Sequence, residues 1–298
     1  MTSPNEVVDR ARETRGLLLG FVGVVCFSVS LPATRVAVKA FDANFVSFGR
    51  AIVAATCAAV ALLLARPAWP TASQWRRMAF VSAGVVVGFP LFTGLALRHA
   101  EAGHGAVVIG LLPAATAGLS VVRSGERPSA RYWLFALTGM TAIAVLAFAR
   151  STTTELAVGD LFFLCAVLAA AVGYTEGAML SRELGGWQTI SWALLLALPI
   201  TIPIAIAGLG SIDGSERWTA WTAFAYLGMV SMFLGFFAWY AGLALGGIAR
   251  VSQVQLTQPL LSVVWAVLFL HERADWLLFV VATIVLVAVF GSRRSVIR

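Results

Sequence analysis

Residues 250–270 form a largely apolar run that nonetheless carries Ser252, Gln255, Pro259 and Ser262. Their i, i+3, i+7, i+10 spacing puts all four on one helical face. Gln258 lies beside that face and Gln253 across the helix. Hydrocarbon leaves amide donors and acceptors unmet, so such a stripe must look at protein or at a water-filled cavity. Two chemistries fit. The stripe can hydrogen-bond neighbouring helices and hold them together. It can also line a wall that binds a solute, with Pro259 lacking an N–H and freeing a backbone carbonyl. The cavity is the favoured reading.

Three ionisable groups fall inside other apolar runs: Arg35, Arg50 and Glu176. Each is costly in hydrocarbon and marks a candidate site unless it snorkels to an interface. Arg50 can anchor a helix pair or meet a carboxylate. Arg35 follows Pro32 by three residues and is a weaker contact candidate. Glu176 is the acid placed to carry a coupling proton. Among aromatics, Tyr174, Trp239, Tyr240 and Trp265 lie within runs rather than at their ends. Buried Tyr and Trp need a hydrogen-bond partner or a cavity, and they suit an apolar or aromatic solute.

Catalysis finds no comparable pattern. His99 and His271 fall at run ends, His104 opens a run, and no HExxH, GxSxG or P-loop is present. Cys26, Cys57 and Cys165 form no CxxC pair and read as small core residues, so neither a metal nor a cofactor is expected.

The elements that must position these residues follow from composition. Of 298 residues, 60% are hydrophobic and 12% charged, with a mean hydropathy of +0.89. Soluble domains carry about 45–50% apolar and about 25% charged residues, so a soluble domain and a disordered chain are both excluded. Long continuous runs rather than alternation argue against an outer-membrane barrel. A span needs about 20 apolar residues. The runs place helices near 16–40, 45–65, 76–97, 104–122, 131–149, 158–180, 188–208, 219–244, 250–270 and 276–291. The fold class expected is therefore an all-α membrane protein of ten transmembrane helices.

The net charge of +7 would suit nucleic acid, but its distribution does not. Fourteen basic residues fall on the side of the N-terminus and five on the other, namely Lys39, Arg98, Arg150, Arg217 and Arg273. That is the positive-inside bias, and it puts both termini in the cytoplasm. Membrane lipid and a small-molecule solute are the expected partners, and the chain is expected to be a monomer.

The sequence also repeats itself. Gly94-Leu95-Ala96-Leu97 recurs as Gly242-Leu243-Ala244-Leu245, and Pro113 with Glu126-Arg127 recurs as Pro259 with Glu272-Arg273. Helices one to five (16–150) and six to ten (151–291) thus form two repeats, between tails 1–15 and 292–298. An odd helix number per repeat inverts the second against the first, a transporter architecture with its site near the midplane. The first-repeat counterparts of the polar stripe are Ala106, Ile109, Pro113 and Thr116, so a polar wall faces an apolar one. Small residues at Gly84, Gly88, Gly173, Gly177, Ser231, Gly235, Ala238 and Gly242 give smooth helix faces, and Pro32, Pro90, Pro113, Pro199, Pro203 and Pro259 give candidate kinks.

Arg50, the two Gly-Leu-Ala-Leu segments, Pro113, Pro259 and the paired Glu-Arg motifs resemble the drug/metabolite transporter superfamily, in particular EamA-type ten-helix exporters. Within it the chain is most similar to bacterial aromatic amino acid exporters of the YddG type. It departs from the family where Cys26-Phe27-Ser28 stands in place of a first-helix Trp. The resemblance implies a bacterial inner-membrane exporter of aromatic or bulky hydrophobic amino acids and related metabolites or drugs, working by alternating access. Its cavity would lie among helices one, three, four, six, eight and nine. The binding candidates are Pro32, Arg50, Pro113, Tyr174, Trp239, Tyr240, Ser252, Gln255, Gln258, Pro259 and Ser262, with Glu176 as coupling candidate. The alternatives are a nucleotide-sugar or sugar-phosphate exchanger of the same superfamily, and a non-transporting membrane scaffold. A phosphate site wants interior Lys or Arg, which the second repeat carries only at its helix ends.

Overall fold

The computed structural model describes residues 4–96, 108–148, 158–211, 217–270 and 276–293, and its regular structure is helical. We label the helices in chain order. α1 runs Pro4–Ser28 and, after a break at Val29, continues as Ser30–Ala37. It is followed by α2 (Ala43–Ala65), α3 (Ala72–Ala96), α4 (Leu112–Arg123) and α5 (Ala130–Phe148). Then come α6 (Val158–Leu184), α7 (Gly186–Ala207), α8 (Trp218–Gly246), α9 (248–270) and α10 (Trp276–Arg293). By length and composition α1, α2, α3, α6, α7 and α8 can each cross a membrane.

Local chemistry sets the boundaries. The Asp42 carboxylate caps α2 by accepting from the Asn44 and Phe45 amides at 2.8 and 3.3 Å. Thr71 and Gln74 form a reciprocal capping box that starts α3. Arg66 ends α2 in a left-handed conformation, and Gly247, at φ +86°, turns the chain from α8 into α9. At the N-terminus, residues expected as a tail are already helical from Pro4, because nothing between Asn5 and Arg15 interrupts the helix.

Three helices depart from α geometry at mid-length. α3 passes through a π segment at Ser82–Gly88 and α8 through one at Leu227–Leu234, at corresponding places in the two halves of the chain. In α9 the five residues Gln253–Thr257 tighten into a 3₁₀ turn just before Gln258-Pro259.

Packing pairs each helix of the first half with one of the second: α1 with α8, α2 with α7, α3 with α6, α4 with α9 and α5 with α10. Exchanging the halves returns the same set of pairs. Glycines permit the closest approaches. A Cβ on Gly84 would overlap the Ala169 carbonyl and Gly173 of α6, and one on Gly242 would overlap Gly16 and Gly20 of α1. The main core runs through α1, α2, α3, α6, α7, α8 and α9, with Trp239, Tyr240, Leu194 and Ile248 among its fully buried members.

Candidate functional site

Much of the polar stripe of α9 is spent on its neighbours. The Ser252 hydroxyl donates to the Ala249 carbonyl at 2.9 Å and lies 3.3 Å from that of Pro113 on α4. Gln253 Nε2 donates to the Tyr132 hydroxyl at 2.6 Å, which itself donates to the Ala249 carbonyl at 2.6 Å. Ser262 answers a defect in α1. Pro32 has no N–H to offer the Ser28 carbonyl four residues earlier, and the Ser262 hydroxyl donates there instead at 2.8 Å. Trp265 Nε1 donates to the Ser28 hydroxyl oxygen at 2.8 Å. The hydroxyls and Gln253 thus tie α9 to α1, α4 and α5.

Three glutamines of α9 keep unspent capacity, Gln253 among them through its buried, unpaired Oε1. Gln255 Nε2 donates to the Tyr174 hydroxyl at 3.3 Å, while its Oε1 is buried without a partner. Gln258 Oε1 is likewise buried and unpaired, beside Pro259. Around Tyr174 the rings gather: Trp239 at 5.3 Å edge-on, Phe236 at 6.3 Å, and Phe27 at 4.9 Å from Phe236. The Trp239 indole N–H, fully buried, also has no acceptor. An unmet donor on Trp239 and an unmet acceptor on Gln255 within one aromatic cluster are costly to leave unpaired, and they match a ligand that carries both kinds of group.

The cluster extends to Tyr240, whose ring lies 5.3 Å from that of Phe236. Tyr240 is fully buried, donates to the Gly173 carbonyl at 3.1 Å and packs against the bare face of Gly177. Arg50 is part-buried on α2, its Nε enclosed without a hydrogen-bond partner. Arg35 is exposed.

Glu176 is only 3% exposed and lies between two guanidinium groups. Arg77 Nε donates to it at 3.2 Å and Arg123 Nε at 2.7 Å. Arg77 also pairs with Glu183 at 2.6 Å. Nearby, Glu126 accepts from the Ile248 and Ala249 amides at 2.8 and 2.7 Å, capping α9 with a carboxylate from the α4–α5 connection. Arg182 adds a 3.4 Å contact to Glu126, and Arg250 pairs with Glu13. Each of these contacts joins one half of the chain to the other.

By sequence Arg77, Arg123 and Arg182 count only among the fourteen basic residues that mark orientation, and Glu126 only as part of the repeat. Their pairing depends on how the halves dock, which local sequence does not encode. Tyr132 and Asp160, both buried, also went unnoticed. Asp160 could have been found as an acid in the first turn of an apolar helix. Glu272 and Arg273 of the repeated motif lie outside the described residues.

Away from the cluster, a recess of about 460 Å³ between α5 and α10 is lined by Leu134, Leu137, Val145, Val281 and Ile284 among others. It is almost wholly apolar, as a lipid-facing groove would be.

The model of the EamA-like transporter family matches the chain over residues 14–148 and again over 157–294. The chain is 42% identical over 283 residues to an "Uncharacterized transporter YdeK" of Bacillus subtilis (strain 168), covering 95% of this chain and 98% of that one. A solved crystal structure superposes on it with a TM-score of 0.79 at 18% identity, covering 94% of this chain and 96% of the other. At that identity the likeness is one of fold.

Proposed function

The chain belongs to the EamA-like transporter family and is a membrane-embedded, multi-pass transporter; from that premise we propose that it exports aromatic or bulky hydrophobic amino acids. The observation that carries this reading is the Tyr174–Gln255 pair among Phe27, Phe236 and Trp239. The rings accept an apolar or aromatic side chain. Gln255 Oε1 is an acceptor for an ammonium group, and the Trp239 indole N–H is a donor for a carboxylate. A zwitterion supplies both at once.

On this reading ten spans form two inverted five-helix repeats, with both termini in the cytoplasm of a bacterium and the protein acting as a monomer in the inner membrane. Alternating access then requires the ion-paired end to part while the substrate binds the two states unequally. Glu176 stays the coupling candidate, and its two arginine partners give protonation a definite effect, since a neutral Glu176 loosens the contact between α6 and both α3 and α4. Phosphate-bearing substrates fit less well. Arg77, Arg123, Arg182 and Arg250 are each engaged by a carboxylate.

The test is uptake of radiolabelled Phe, Trp, Leu, Thr and Glu into proteoliposomes. Phe, Trp and Leu should exceed empty liposomes, and Gln255→Ala should raise KM for Phe by about tenfold, the factor for one lost charge-assisted hydrogen bond. Rates equal to empty liposomes for all five would overturn the amino-acid reading.

A further inference from the structure

We propose that Arg50 forms a second, separate station that receives the carboxylate of a solute on its way past α2 and α8; the choice of solute rests on the amino-acid reading above. Arg50 stands eight residues into α2 from the Asp42 cap, a depth of about 12 Å at 1.5 Å per residue. A headgroup phosphate beside that cap is beyond easy reach of the side chain. Yet Arg50 Nε is enclosed and unpartnered, and among the described residues no carboxylate pairs with the guanidinium. Nη1 and Nη2 are not fully enclosed, and Arg50 as a whole is part-buried. A fixed cation in a low-dielectric setting without an anion is a site waiting for one, and the planar fork matches a carboxylate.

A close helix contact and a set of rings frame this arginine. Gly228, in the π segment of α8, lets that helix close on α2 at this level: a Cβ there would lie 3.0 Å from the Arg50 carbonyl and 2.7 Å from Val53. Towards the start of α2, Phe45 stacks on Phe224 at 4.8 Å, with Phe41 and Trp221 against them. Arg50 therefore sits just beneath a set of rings. Gly228 and Trp239 are separated by eleven positions of α8, about 16 Å of helix, longer than an amino acid. The level of Arg50 and that of Trp239 are thus set apart along α8, and on this proposal the two stations act in succession.

Binding can be read without transport. Purified protein in detergent is titrated with 3-phenylpropionate, which has a carboxylate and no ammonium, and with phenethylamine, which has the reverse; Tm is the readout. In the wild type both should raise Tm. In Arg50→Gln the 3-phenylpropionate shift should fall to what the aromatic cluster alone gives while the phenethylamine shift is kept, and Arg50→Lys should restore part of the former. Reconstitution in purely zwitterionic lipid, then with anionic lipid added, separates the two sources of anion. If anionic lipid abolishes the 3-phenylpropionate shift in wild type but leaves Arg50→Gln unaltered, Arg50 holds a headgroup and the proposal fails. It fails equally if the two probes respond alike to Arg50→Gln, or if 3-phenylpropionate shifts that variant undiminished. Should Arg50→Gln not fold, an unchanged 3-phenylpropionate affinity in Arg50→Lys overturns the proposal. Loss of amino-acid transport in the wild type would overturn the functional reading above and leave this binding result standing.

Discussion

Where α3 begins and α6 finishes, the two halves of the chain meet through charge: Glu176 between Arg77 and Arg123, Glu126 on the first amides of α9, and Arg250 on Glu13. Where α2 and α8 begin, they meet through rings, with Phe41, Phe45, Trp221 and Phe224 packed around Ala33, Ala37 and Leu227. Charged contacts are directional and fail together when one partner is removed, because the remaining charge is left in a poor solvent. Ring contacts are tolerant of sliding and lose energy gradually. On the alternating-access reading proposed above, the charged end would part pair by pair and the ring-packed end yield by degrees.

The contrast breaks most sharply at Glu176. Glu176→Ala leaves Arg77 with Glu183 alone and Arg123, half exposed, without its carboxylate, and should cost about 1–3 kcal/mol in unfolding of the detergent-solubilised protein. Glu176→Gln should cost less while making a cysteine at Ser181 react faster with a polar maleimide; unchanged labelling would show that this end does not part there. Next is Gly242→Leu, which forces α8 off α1 and should lower stability by about 1–3 kcal/mol or more, with transport lost. Glu126→Gln removes the charge that caps α9 and should cost about 1 kcal/mol, visible as a modest drop in Tm. At the ring-packed end Phe45→Leu keeps apolar volume and gives up only the stacked pair. It should cost roughly 0.5–1.5 kcal/mol and slow transport without changing maleimide labelling at the charged end. A shift in that labelling would mean the two ends are coupled more tightly than the comparison allows.

Residue spacing made a good part of this legible. The helix-nine stripe is buried and meets other helices because amides in an apolar run have nowhere else to go. The separation of interior from terminal aromatics also isolates Tyr174 and Trp239, which do meet in one cluster. Division of labour within the stripe was not legible. Whether Ser262 bonds a carbonyl or a solute depends on Pro32 in a distant helix, whose missing N–H creates the demand. The roles of Arg77 and Arg123 were hidden for the same kind of reason. At a helix end an arginine serves equally as an orientation signal or as half of an ion pair, and only the docking of the halves decides. Nothing in the apolar sequences of α3 or α8 beyond their small residues announces a π segment.

Those two segments give the molecule a store of rotation. A π turn takes in a residue more than the α turn it replaces, so the lengths on either side are offset in phase by up to about 100°, the angle of one residue. Resetting Ser82–Gly88 to α geometry would roll Phe89–Ala96 about its own axis against α6, and resetting Leu227–Leu234 would roll Gly235–Gly246 against α1. The faces of α8 that carry Phe236 and Trp239 would then be exchanged like the positions of a dial, at the cost of a slide along the axis of about 1.5 Å, one residue's rise.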